Sequence, residues 1–154
     1  MTLEEFREEL INEIKGQSLI DSEYPADIFI EYCKDILIND FGVLSELYNT
    51  YIDYKTNNSQ YRNMRLDASY LELSINTIHL LISDFNEGEI QPINKDYINQ
   101  KAVSMTNFLH NAFRGYFNNS ADSDITTQMA REIRKNIDLI KKIHLIIIST
   151  NKKS

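Results

Sequence analysis

Two aspartates stand where a chain of this kind can do chemistry: Asp67 in RLDAS and Asp84 in SDFN. Each lies beside an apolar stretch of strand-forming residues, Met64 and Leu66 for the first and Ile78 to Ile82 for the second. Carboxylates on neighbouring strands can face one another and share a divalent cation, magnesium (Mg) or manganese (Mn), or one of them can act as a base. Glu9 and Glu13, near the apolar flank of the first helix, are the further oxygen donors in reach of such a design. Arg62 and Arg65 precede the first aspartate. Arg131 and Arg134, with Lys135, Lys141 and Lys142, form the densest positive group. These four arginines are the candidate nucleic-acid contacts, against the plainer role of a solvated basic face. His110 has no second His or Cys at ligand spacing, so it reads as a packing or surface residue.

The acids need a sheet to position them, and the run from Arg62 to Asn86 supplies one as a hairpin. Met64 and Leu66 open its first strand, the polar cluster from Glu72 to Thr77 turns it, and Thr77 to Phe85 forms the second. Leu80 to Ile82 put apolar residues on both faces, as a central strand covered on both sides requires.

Helices surround this hairpin. Thr2 and Glu5 match the capping-box spacing, and Leu3, Phe6, Leu10, Ile11 and Ile14 give a first helix that Gly16 is expected to stop. A second helix runs from Pro25 to Asp40, and Cys33 falls in its apolar stripe as a buried thiol. Phe41 to Ile52 is irregular with a short strand at Leu47 to Tyr51, and Lys55 to Gln60 is a loop. Tyr48, Tyr51, Tyr54 and Tyr61 have few interleaved bases, which favours packing over base stacking. A long helix from Asn94 carries Ile98, Ala102, Met105, Phe108, Ala112 and Phe117 across the sheet, and another spans Ile125 to Lys135. The Ile-rich segment Ile143 to Ile148 is expected as a short, fully buried strand. With helices between it and the hairpin, it should pair in parallel, giving an α/β (α+β) mixed sheet flanked by helices.

Composition bounds the rest. The 154 residues fit a single domain, able to bury roughly 70% of its unfolded surface. A net charge of −7 and a pI near 4.9 exclude a generally basic nucleic-acid surface but leave room for a local patch. One cysteine excludes an intramolecular disulfide and a thiolate zinc cluster. The acidic, amphipathic start is no secretory signal, and no apolar run reaches the roughly 20 residues of a membrane span. A cytoplasmic protein is the expectation. The abrupt end after the last strand suggests an N-terminal fragment of a longer protein.

The order of helices, antiparallel hairpin, helical crossover and terminal strand is that of the restriction-endonuclease-like fold. The segments LEEFREELINEI, NMRLDASYLELSINTIHLLISDFNEGE and KKIHLIIISTN together resemble the N-terminal domain of bacterial abortive infection phage resistance (AIPR) proteins. The resemblance implies a nuclease-like domain in antiviral defence, with a C-terminal region, nucleic acid or a phage-derived protein as partner, and homo-oligomerisation open. In active nucleases of this fold one Asp begins the site, and a second acid followed two residues later by Lys completes it around the metal. Asp67 matches the first acid. The second half departs: aligned on Phe85, Ile82 stands at the acid and Asp84 at the lysine, whereas with Asp84 as the acid, Asn86 replaces the lysine. Lys95, Lys101 and Arg131 are the cations left to take that place, and nothing in the sequence selects among them. The resemblance therefore implies a catalytically degenerate domain that binds no cofactor. The alternatives are a working nuclease with Asp67 and Asp84 as catalytic metal ligands, and a helical protein-interaction module.

Overall fold

The computed structural model describes residues 1–42, 47–57 and 60–153. Part of the irregular stretch after Phe41, two residues of the loop before Gln60 and the last residue lie outside them. The chain divides into two compact units, one of Met1–Ser45, Ser83–Ile93 and Ile148–Ser154, the other of Glu46–Ile82 and Asn94–Ile147.

In the first unit, α1 (Leu3–Asp21) begins with the expected capping box: Thr2 Oγ1 accepts from Glu5 N at 3.1 Å, and Glu5 Oε2 accepts from Thr2 N at 3.2 Å. Gly16 does not stop it. A single glycine costs a helix only about 1 kcal/mol, and this one lies in open space. The helix instead ends where Ser22 turns left-handed at φ 55° and its N–H returns to Ser18 O. In α2 (Pro25–Asn39), Pro25 occupies the first turn and Phe29, Cys33 and Leu37 form the buried stripe. The short strands β5 (Pro92–Ile93) and β7 (Lys152–Lys153) pair in parallel.

Arg7 ties this unit together. Its Nε donates to Thr150 O at 2.6 Å, and its Nη2 donates to Asn86 O at 2.6 Å and Gly88 O at 2.7 Å. One guanidinium thus satisfies three carbonyls from two loops distant in sequence. Arg7→Ala is expected to destabilise the protein by about 2 kcal/mol, since hydrogen bonds from charged donors are worth more than neutral ones. Urea unfolding checks this, and Arg7→Lys should recover only part, because an ammonium lacks the planar fork.

The second unit holds the main core. β1 (Ile52–Tyr54) pairs antiparallel with β2 (Met64–Leu66), and β3 (Ala68–Glu72) pairs antiparallel with β4 (Thr77–Asp84). The expected first hairpin strand is thus split at Asp67, its two halves serving different partners. The expected turn is a 3-10 turn, Leu73–Ile75, closed by Asn76 at φ 54°. Tyr48 bridges Ser69, while the expected strand near it lies further on as β1. Two of the four tyrosines pack as expected, Tyr54 and Tyr61 each meeting Tyr116 edge-on with centroids 5.1 Å apart, whereas Tyr48 and Tyr51 are exposed.

Two helices cover this unit, α3 (Lys95–Phe113) and α4 (Ile125–Lys135). Met64 and Leu66, with Ile78, Leu80 and Ile82 of β4, are buried in one cluster with Met105, Phe108 and Ala112 of α3 and Met129, Ala130 and Ile133 of α4. Each large side chain there contributes roughly 1.5–3 kcal/mol by leaving water. Phe117, expected on the long helix, lies beyond its end but joins the same core.

The last strand, β6 (Lys142–Ser149), lies beside β4 in the order β3-β4-β6. Lys142 N donates to Asn76 O at 3.0 Å near one end of the pair, and Thr150 N to Asp84 O at 3.0 Å near the other. That progression is parallel, as the crossover predicts. The expectation of a fully buried strand is corrected: residues 142–144 are exposed, Ile143 at 47%, and the remainder half-buried. Among the described residues the strand forms an edge of the sheet, with no neighbouring strand on one flank.

Candidate functional site

Asp67 sits at the step between β2 and β3, where the chain changes partner. Its N–H donates to Leu81 O at 2.9 Å, and its carboxylate is wholly buried. Arg65, two residues earlier and therefore on the same side of the strand, donates from Nη1 to Asp67 Oδ1 at 2.5 Å and to Leu66 O at 3.0 Å. The Arg65 guanidinium also lies over the Tyr51 ring, 4.9 Å from its centroid.

Asp84 closes β4 in the other unit and is half-buried. Its Oδ2 accepts from Ser149 Oγ at 2.6 Å and from Asn151 Nδ2 at 3.1 Å. Asn86, at the lysine position of one alignment, donates from Nδ2 to Glu89 O at 2.7 Å and Asn151 Oδ1 at 2.9 Å. Glu9 and Glu13 are exposed on α1. Among the described residues, no three His, Cys, Asp or Glu side chains gather as a metal-binding group.

The four arginines separate by what they touch. Arg65 holds Asp67. Arg131 donates from Nη2 to Phe117 O at 3.2 Å and Ser120 O at 3.1 Å, and from Nη1 to Asp122, organising the loop ahead of α4. Arg134 is exposed and donates to Asn118 Oδ1 at 2.9 Å. The Arg62 side chain is exposed. His110, half-buried on α3, has its proton affinity lowered by burial, then by Arg62 and Arg114.

Sequence reading missed a polar group at the hairpin turn. Tyr70 of β3 lies opposite His79 of β4, and the two rings stack at 6.1 Å with planes 7° apart. His79 Nε2 lies 2.8 Å from Glu72 Oε1, both residues being buried, and its Nδ1 lies 2.9 Å from Nδ1 of His144 on β6. Partial loss of water around the ring lowers the proton affinity of His144, although the residue as a whole is exposed, and His79 and Lys142 add to the effect. The available signal was a histidine inside the apolar run TIHLLI, a position that demands a partner.

These features define an α/β domain with a mixed sheet, carrying two separate acids and a carboxylate–imidazole pair. A family model described as abortive infection phage resistance protein N-terminal domain matches residues 29–154, and the chain belongs to that family. No curated protein and no solved structure matches it. Membership supports a place among phage-defence proteins. Among the described residues no helix is long and apolar enough to cross a membrane.

Proposed function

We propose that this domain is a restriction-endonuclease-like module that no longer cuts, and that it serves abortive infection by recognising nucleic acid or another protein. The observation that carries this reading is the Arg65–Asp67 pair: the acid matching the first metal ligand is buried and held at 2.5 Å by a guanidinium. A magnesium or manganese ion would have to displace that cation to reach the bonded oxygen. The second half of the site agrees, because Asn86 stands where a lysine would follow Asp84, and both side chains are tied to Asn151. The two sheets of the second unit leave little ground for a purely helical interaction module. The exposed Arg62 and Arg134 are the first candidates for nucleic-acid contact. The C-terminal region expected of this family and a phage-derived protein are the candidate protein partners, in the cytoplasm.

The test is a calorimetric titration of the chain with magnesium and manganese, beside Asp67→Asn and Asp84→Asn, and incubation of DNA and RNA with manganese. The expected result is no binding that depends on either aspartate and no cleavage. Manganese binding lost in Asp67→Asn, or strand cleavage lost with it, would establish the working nuclease instead. Circular dichroism of each variant separates lost ligation from lost folding.

A further inference from the structure

We propose that His79 and His144 form a binding site for a borderline or soft divalent metal of the zinc, nickel or copper class. The site lies within the second unit and shares no residue with the reading built on the two aspartates.

Buried Glu72 accepts a hydrogen bond from His79 Nε2, which fixes the proton on that nitrogen and leaves the Nδ1 lone pair for another partner. Stacked against Tyr70, the His79 ring is held in plane. A carboxylate on the far nitrogen of an imidazole is the arrangement that orients metal-ligating histidines and raises their basicity. The open nitrogen of His79 points to Nδ1 of His144, 2.9 Å away, with the two rings 71° apart.

Without metal, those two nitrogens share a proton. Two nitrogens on one tetrahedral zinc, each about 2.0–2.1 Å from the ion, stand roughly 3.3 Å apart. A bidentate site needs that separation to open by a few tenths of an ångström and a ring to turn so that both Nδ1 lone pairs meet at one ion. The movement falls on His144, which is exposed on the edge strand β6. Among the described residues no third His, Cys, Asp or Glu completes the set. The remaining positions would be filled by water or by an anionic oxygen of a bound molecule. Imidazole donors select zinc, nickel and copper over magnesium and manganese, so this site and an aspartate site answer to different ions.

The experiment is isothermal titration of the metal-free chain with zinc chloride in a non-chelating buffer, repeated with His144→Ala, His144→Cys and Glu72→Gln. One zinc per chain is expected. His144→Ala, at an exposed position, should fold normally and lose at least about tenfold in affinity, and His144→Cys should retain zinc through its thiolate. Glu72→Gln should weaken binding by about tenfold, the usual effect of removing an orienting carboxylate. Equal zinc affinity in the parent and His144→Ala would overturn the proposal by placing the metal elsewhere, and no zinc binding by the parent would overturn it outright. Neither outcome touches the assignment of Asp67, whose test uses manganese.

Discussion

Arg65→Met is expected to cost about 3 kcal/mol or more of folding stability, because removing one member of a buried ion pair leaves the other's charge poorly compensated. The Arg65 side chain is 24% exposed and that of Asp67 is fully enclosed, so the penalty falls on the carboxylate. Methionine keeps the length of the apolar stem, which confines the loss to the charge, the hydrogen bond to Leu66 O and the stacking on Tyr51. The double variant Arg65→Met with Asp67→Asn should recover a large share of that loss, since no buried charge then remains at this point. Urea unfolding followed by circular dichroism reads all three. A strongly coupled pair marks Asp67 as structural; additive effects would return it to consideration as a metal ligand.

Asn111→Ala should cost about 3 kcal/mol, comparable to a large core truncation. Asn111 is fully buried on α3, where its Nδ2 donates to Arg62 O at 2.7 Å and its Oδ1 accepts from Arg62 N at 3.0 Å. The side-chain amide thereby pairs with the backbone ahead of β2 much as a neighbouring strand would. One turn earlier, Asn107 Nδ2 donates to Asn63 O at 2.7 Å. Alanine at 111 removes both partners of Arg62 and leaves a cavity beside Met64, whose sulfur lies 3.3 Å from Asn111 Nδ2. Thermal and urea unfolding should show the loss without a change in helix content. Asn111→Asp should be worse still, since the Arg62 carbonyl would then face an acceptor.

Local patterns were enough to locate the helices and the hairpin. The Thr2 capping box, Pro25 at a first turn, the turn before Thr77 and the apolar stripe of α3 are short-range features, and each element formed where its pattern lies. The parallel placement of β6 also followed, because a helical crossover between two strands of one sheet restricts their relative direction. Gly16 misled, since its cost is small and the real stop is a left-handed Ser22 that composition does not announce. The burial of β6 misled for a different reason: an isoleucine run states apolarity, while its place at the edge of a sheet depends on strand order.

The residue types alone determined that this chain carries two acids beside apolar, strand-forming runs, Asp67 and Asp84, with Asn86 two residues after the second. Only the tertiary structure decided what each touches. Arg65 shares a side of the strand with Asp67 because of a period of two, yet whether it pairs with the acid or turns to solvent depends on burial around both. Glu72, His79 and His144 are separated in sequence by a turn and by a whole helical crossover, and strand register is what brings them into one line. Register follows from the packing of the whole sheet, and for that reason the imidazole pair could not be read from any single stretch of residues.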